Sequence, residues 1–337
     1  MRIKISEVAK MEKVVPAIER LKREEGEILL VTHHNPDGDG IGSMLALYQF
    51  LKKQGKNVRM AMKDDLPQVY DFLPYADKIE KLPINHKFNL AVILDAAGMY
   101  RADAPVYADE YLRIDHHIGG VFESVNDYVD PYAPSTTTVV GRLLKAWDEN
   151  LIDKDIATCL YTGLITDTGS FKHNIVNEEA FDFAKYLVEK GVDPSYVSSM
   201  VFERNKPQTL QLLNKVLSTL KMYEGGKIAA LTVRQQFLQE TGTSEEDTEG
   251  FVNFARGIDG VEVAFIMIEK PDHQTWRISI RGKGNVNVQK VAAKCGGGGH
   301  RDAAGCRMKG SEEEVREKLI KAIKEEMEIQ KETVKIN

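Results

Sequence analysis

The stretch Ile28-Leu29-Leu30-Val31-Thr32-His33-His34-Asn35-Pro36-Asp37-Gly38-Asp39-Gly40 carries a structural reading and a chemical one together. Residues 28–32 are apolar or β-branched, the composition of a short buried strand. Asn-Pro and Asp-Gly then mark a loop, and residues 41–53 place Leu45, Tyr48 and Leu51 at helical spacing. Working outward, residues 58–62, 90–94 (LAVIL) and 112–114 are further strand candidates, separated by stretches long enough for helices. Strands alternating with helices predict an α/β domain wound on a parallel sheet. The strand ends matter most: the first runs into His33, LAVIL into Asp95, and LRI into Asp115-His116-His117. In open parallel sheets ligands gather outside the carboxyl ends of the strands. Three strands delivering His or Asp there is the first functional signal.

Residues 136–147 and 155–166 are helical in pattern, and Asp167-Thr168-Gly169-Ser170 follows them. A helix over 178–190 closes on Gly191, and Asp193-Pro194 opens the next. Residues 207–220, with Pro207 in the first turn, look like a connecting helix. Beyond them 227–233, 261–269 and 275–281 are strand-like, and a last helix covers 312–328. The division expected is an α/β domain over 1–190, a helical linker over 191–220, and a smaller α/β domain over 221–337.

Length and composition agree with that. At 337 residues the chain exceeds what one core usually organises, and 42% hydrophobic with 28% charged is the ordinary globular range. The charge sum is 45 − 51 = −6, which argues against a broad basic surface for duplex DNA but allows a local basic pocket. No apolar run approaches the ~18–20 residues of a bilayer span, and the first fifteen residues lack the apolar core of a secretory signal. Cys159, Cys295 and Cys306 form no CxxC pair and are odd in number. A cytoplasmic, reducing setting is therefore expected.

Chemically, His33, Asp37 and Asp39 form an HxxxDxD pattern. A plain turn would need neither the histidine at the strand end nor the second aspartate. Gly38 and Gly40 let the backbone fold tightly enough for both carboxylates to converge. Hard carboxylate oxygens with imidazole suit Mn²⁺ or Mg²⁺ better than zinc. With Asp95, Asp115-His116-His117 and Asp167, the set offers four aspartates and two histidines beyond what helix caps require. That count fits two divalent ions ~3.5–4 Å apart bridged by a carboxylate and a water, an arrangement suited to phosphate ester hydrolysis. The letters GDGIGS do not have GxGxxG spacing, and no Walker loop is present. No Ser-His-Asp set or catalytic cysteine competes.

The run Cys295-Gly296-Gly297-Gly298-Gly299-His300-Arg301-Asp302-Ala303-Ala304-Gly305 is different in kind. Four glycines are too flexible for a strand or helix interior. Exposed N–H groups beside an imidazole and a guanidinium suit an oxyanion.

Together HNPDGDGIGS, the strand end at Asp95, the literal Asp115-His116-His117 and TDTGSF resemble the four motifs of DHH phosphoesterases, and GGGGHRDAAG resembles the first type of DHH-associated domain. The likeness spans roughly residues 28–308. It implies a catalytic domain followed by a substrate-binding one, two Mn²⁺ (with Mg²⁺ or Co²⁺ as substitutes), and hydrolysis of short oligoribonucleotides and 3′-phosphoadenosine 5′-phosphate. Linear or cyclic dinucleotides are the alternative substrates, and a non-catalytic nucleotide-binding protein is the rival of another class. Carried over by position, His33, Asp37 and Asp95 would hold one ion, and Asp39, His116 and Asp167 the other, with Asp95, and Asp167 as a second candidate, contributing to both. Asp115 would orient the histidine pair, while His117 and Arg101 would meet the phosphate. Gly297, Gly298, Gly299, His300 and Arg301 would hold the terminal nucleotide. Where similar proteins often have Asp-Thr-Ala, this chain has Asp95-Ala96-Ala97, without a hydroxyl beside the carboxylate. Dimerisation is common among similar proteins; no membrane partner is implied.

Overall fold

The computed structural model describes residues 14–102, 107–117, 124–284, 286–299 and 301–336. The chain forms two compact units, Met1–Arg204 and Asn205–Asn337. The first opens with helix α1 over 14–23, then β1 (Ile28–Thr32), α2 (Gly38–Lys53), β2 (Val58–Met62), β3 (Ile79–Lys81), β4 (Phe88–Leu94), β5 (Ala108–Asp115) and β6 (Tyr128–Val129). Helices α3 (Thr136–Asp148), α4 (Lys154–Asp167), α5 (Glu178–Glu189) and α6 (Pro194–Phe202) complete it. Among the described residues the sheet has six strands, ordered β3-β2-β1-β4-β5-β6 and parallel throughout. The order reverses between β1 and β4, and that switch point is where an open parallel sheet leaves a crevice for ligand.

Both faces of the sheet are covered, which is why its central strands β1 and β4 read as continuous apolar runs over 28–31 and 90–94 rather than alternating ones. Ile28, Leu30, Leu90, Val92 and Leu94 enter one core with α2, α3 and α4; Leu29, Val31, Ala91 and Ile93 enter another on the opposite face. Helix α2 is buried over nearly its whole length, Phe50, Met44 and Leu45 completely. Each such side chain contributes about 1.5–3 kcal/mol relative to exposure. The helix starts at Gly38, three residues before its apolar pattern, because the Asp37 side chain accepts from the N–H of Asp39 and Gly40 and caps it. Strands β3 and β6 are too short, at 3 and 2 residues, to show a pattern.

Asp193 caps α6 by accepting from Ser195 N and Tyr196 N, with Pro194 in the first turn. The stretch 191–220 contains two helices, α6 in the first unit and α7 (Pro207–Leu217) in the second. The second unit continues with β7 (Lys221–Tyr223), β8 (Ile228–Val233), α8 (Gln235–Thr241), α9 (Phe251–Arg256), β9 (Val263–Glu269), β10 (Thr275–Gly282), α10 (Val288–Lys294), β11 (Gly298–Gly299), β12 (Ala303–Lys309) and α11 (Glu312–Ile336). Its sheet runs β11-β12-β10-β9-β8-β7, with β8 and β9 parallel and the other pairs antiparallel. Helices α10 and α11 cover one face, and α7, α8 and α9 part of the other. Among the described residues no helix is long and apolar enough to cross a membrane.

One close approach fixes the helices behind the site. A Cβ on Gly42 of α2 would lie 2.4 Å from the Cys159 carbonyl oxygen of α4, a backbone atom that cannot step aside. Gly42→Ala must therefore push α2 and α4 apart. It should lower stability by about 1–3 kcal/mol in urea unfolding; a midpoint unchanged from the native protein would contradict this packing.

Candidate metal centre

At the carboxyl ends of β1, β4 and β5 the chain gathers five aspartates and three histidines. Asp37 is the N-cap of α2, and its Oδ1 accepts from Asp39 N at 2.9 Å and Gly40 N at 3.2 Å. Asp39, in the first turn of α2, is buried, and both its oxygens are taken by the start of α3: Thr136 N donates to Oδ2 at 2.6 Å and Thr137 N to Oδ1 at 2.8 Å. Asp95 follows β4 with φ 56°, a left-handed conformation that turns the chain sharply at the strand end. Its Oδ1 accepts from Thr136 Oγ1 at 2.8 Å. Asp167 is the last residue of α4, so its charge sits at the negative end of that helix.

The histidines face these carboxylates with defined nitrogens. His33 Nδ1 is 2.8 Å from the His34 carbonyl oxygen, and its Nε2 is 3.4 Å from Asp95 Oδ2 and 3.9 Å from Asp37 Oδ1. His116 Nδ1 lies 3.2 Å from the Ala133 carbonyl oxygen, and its Nε2 lies 3.3 Å from Asp167 Oδ2 and 3.8 Å from both Asp39 Oδ2 and Asp95 Oδ1. Asp115 is fully buried; its Oδ1 accepts from His116 N, His117 N and, at 2.7 Å, His117 Nδ1.

Three groups have ligand atoms within 4.8 Å of one another: His33, Asp37 and Asp95; Asp39, His116 and Asp167; and Asp95, His116 and His117. Asp95 and His116 each belong to two groups, so the three are contiguous. Arg101 is exposed in the 3₁₀ turn Met99–Ala102, and its carbonyl oxygen accepts from His34 N at 2.9 Å, tying that turn to the β1 loop. The pattern of the sequence did not single out Thr136 and Thr137. The signal available was Ser135-Thr136-Thr137-Thr138 opening an apolar helix, a capping run whose N–H groups could hold an anion.

In the second unit the glycine run is partly a strand: Gly298 and Gly299 pair with Gly305 and Ala304 of β12. The flexibility that argued against a strand interior is less important than space, because a Cβ on Gly297 would fall 2.1 Å from the Gly305 carbonyl oxygen. Arg301 is exposed, with Nη2 donating to the Gly284 carbonyl oxygen at 3.2 Å, while His300 lies outside the described residues. Cys306 is buried and Cys295 packs against the same core. Sequence reasoning placed a strand over 275–281, which is β10, but did not single out its arginines. Its buried Trp276, Ile278 and Ile280 alternate with Arg277, Ser279 and Arg281, which lie across from Arg307, Gly305 and Ala303. Desolvation lowers the Arg281 pKa, Glu249 opposes that, and Arg256 and Arg277 add to the lowering. A guanidinium crowded by cations is a place for an anion.

The domain model described as "DHH family, N-terminal domain" matches residues 27–164, and the DHHA1 domain matches 225–328. The bifunctional oligoribonuclease and PAP phosphatase NrnA of Thermus thermophilus is 33% identical over 94% of this chain and 95% of its own length. The chain belongs to the DHH family. It is also similar to the cyclic-di-AMP phosphodiesterase PdeA of Listeria monocytogenes, at 26% identity over 91% of this chain but only 49% of that protein. The solved structure of an exopolyphosphatase-related protein from Bacteroides fragilis superposes with a TM-score of 0.86 at 27% identity, covering 94% of this chain and 97% of that one. As a DHH protein the chain is an enzyme, a hydrolase of phosphate ester bonds that depends on divalent metal.

The donor set fits such ions. Among the described residues, the ion-pair contacts of Asp37, Asp39, Asp95, Asp115 and Asp167 are all with histidines, so no lysine or arginine balances them. Desolvation and the neighbouring Asp95 push the Asp39 carboxyl up to about 7. Desolvation likewise raises Asp167 well above the ordinary range, with Asp39, Asp37 and Asp95 adding to it against His116. Buried carboxylates left short of positive charge are what a divalent ion corrects. At His33 desolvation favours the neutral ring, but Asp37 and Asp95 outweigh it and raise the pKa to about 11; Asp167, Asp39 and Asp95 do the same for His116, to about 9.

An ion entering these groups must displace ring protons, because a metal ligand is a neutral imidazole. Titrating chelator-stripped protein with Mn²⁺ near pH 7 should release on the order of two protons per molecule from His33 and His116, and more from the raised carboxyls of Asp39 and Asp167. Calorimetry in buffers of different ionisation enthalpy reads that number. An apparent enthalpy independent of buffer would remove the histidines from the ligand set.

Proposed function

We propose that this DHH enzyme hydrolyses short oligoribonucleotides and removes the 3′-phosphate of 3′-phosphoadenosine 5′-phosphate, using two Mn²⁺. The observation that carries the reading is the set of three contiguous donor groups linked through Asp95 and His116, in a chain that aligns along nearly its whole length with a bifunctional oligoribonuclease and PAP phosphatase. A second relative of that name, from Bacillus subtilis, is 25% identical over 82% of this chain and 88% of its own length. The cyclic-di-AMP phosphodiesterases from the same comparison extend well beyond the aligned part, so cyclic and linear dinucleotides remain the alternative substrates.

On this reading His33, Asp37 and Asp95 hold one ion, and Asp39, His116 and Asp167 the other. Bound there, the ions supply positive charge to the phosphoryl oxygens and acidify water. The chain's own groups do the remainder. Asp39 and Asp37 are fixed by backbone N–H groups, so they need little rearrangement on loading. Asp115 accepts from His117 Nδ1 and favours its imidazolium form, which leaves Nε2 to donate to the phosphate. Arg101 adds a second positive group on the same side of the sheet. In the DHHA1 unit, Arg277, Arg281, Arg301, His300 and the N–H groups of Gly297, Gly298 and Gly299 bind the far end of the substrate. Imidazole in the donor set favours Mn²⁺ over Mg²⁺. A cytoplasmic location goes with free thiols and short RNA substrates.

A panel of pAp, pApA, cyclic di-AMP, an RNA trinucleotide and a long single strand, each with Mn²⁺, tests the substrate. The trinucleotide and pAp should turn over fastest, all activity should vanish with chelator, and Mg²⁺ should restore less than Mn²⁺. Comparable rates on the long strand would reject the short-substrate reading.

Chemistry and capture should separate by mutation. Asp95→Ala removes the shared carboxylate, and kcat should fall by about 10²–10³ or more, as with loss of a major transition-state contact. His300→Ala should act mainly on KM with its metal content intact. Steady-state kinetics with metal counting decides: an Asp95→Ala enzyme with native turnover, or a His300→Ala enzyme stripped of metal, would refute the division of roles.

A further inference from the structure

The carboxylates of the metal centre are not anchored equally. Asp37, Asp39 and Asp115 each accept two backbone N–H groups. Asp95, the residue common to two donor groups, accepts none among the described residues. It sits at φ 56° beyond the strand end and is followed by Ala96 and Ala97, which have no hydroxyl to offer. Its Oδ2 has His33 Nε2 at 3.4 Å, but its Oδ1 has no main-chain donor among the described residues to fix it against rotation. What holds it is Thr136, 41 residues further along the chain, whose Oγ1 donates to Asp95 Oδ1 at 2.8 Å.

We propose that Thr136 is the positioning residue of the metal centre, fixing the Asp95 carboxylate so that each oxygen serves a different donor group. Resting on the metal-centre reading above, this role follows from how the oxygens are directed. With Oδ1 pinned by the hydroxyl, it faces His117 Nδ1 at 3.5 Å and His116 Nε2 at 3.8 Å, while Oδ2 faces His33 Nε2 at 3.4 Å. Thr136 is well suited to the task because it cannot move itself. It is fully buried as the first residue of α3, behind the Ser135 cap, and its backbone N–H is committed to Asp39 Oδ2. One residue therefore sets both aspartates, Asp39 through its main chain and Asp95 through its side chain. The relative geometry of the two groups is then fixed by one turn of helix.

The test keeps the main-chain half and removes the side-chain half. Thr136→Val preserves shape, β-branching and the N–H to Asp39 but loses the hydroxyl; Thr136→Ser restores it. By calorimetric titration of the stripped full-length protein, Thr136→Val should bind Mn²⁺ about 10–100-fold more weakly than native, and Thr136→Ser within about threefold, the range for partners that orient metal ligands. The same substitution in an Asp95→Ala background should cost nothing further, since the hydroxyl then has nothing to hold. Should Thr136→Val not fold, as read by circular dichroism, Thr136→Ala enters the same cycle. Native-like Mn²⁺ affinity in Thr136→Val, or an equal loss with and without Asp95, overturns the positioning role alone. A native protein that binds no divalent ion overturns the metal-centre reading and this inference with it.

Discussion

Mutual repulsion among Asp37, Asp39, Asp95, Asp115 and Asp167 is the constraint around which the first unit is arranged. Two carboxylates ~4 Å apart repel by about 4 kcal/mol at an effective dielectric of 20, and several such pairs meet at one end of the sheet. The fold opposes this with aligned dipoles rather than with lysine or arginine. The N-terminus of α2 gives the N–H groups of Asp39 and Gly40 to its cap Asp37, and the N-terminus of α3 gives two N–H groups to Asp39. Helix N-termini carry partial positive charge and favour such anions. Asp167 is placed against the gradient, at the end of α4, and there the deficit of positive charge is left for histidines and divalent ions to meet.

Holding those dipoles in range requires backbones closer than side chains normally allow. A Cβ on Gly40 would fall 2.3 Å from Thr32 Oγ1, and one on Gly163 would fall 2.8 Å from Asp39 Oδ1. Together with Gly42 against Cys159, these positions let α2, α4 and the ends of β1 and β4 converge on one point. The letters GDGIGS thus mark a place where carboxylates need room, not a phosphate-binding loop.

The second unit solves a different problem. Among its described residues there is no comparable gathering of acids; its sheet presents Arg277 and Arg281 of β10 on the face opposite the Trp276–Ile278–Ile280 core, with the glycine edge strand β11 beyond β12. On the proposed reading, chemistry and recognition of an anionic group fall to two separately folded cores, divided at Arg204. Substrate preference can change in the second without disturbing the packing that sets the first.

Much of this was legible in the sequence because the signals are local. Strands β1, β2, β4 and β5 each contain a short buried stretch that the sequence shows, and the residues at their ends follow directly from the chain, so His33, Asp95 and Asp115-His116-His117 could be named before any fold was known. The glycine run and the four candidate metal-ligand segments could be named for the same reason. Strands β3, β6, β11 and β12 could not, since short or glycine-containing strands owe their pairing to neighbours rather than to pattern. Nor could Thr136 and Arg281 be singled out: a threonine at a helix start and an arginine in an alternating strand are ordinary until the fold shows what faces them. Residue type and order determined which groups are the candidates for the chemistry. Only the tertiary structure decided how they are held, because a hydrogen bond across 41 residues depends on where α3 packs, and that is set by the whole core.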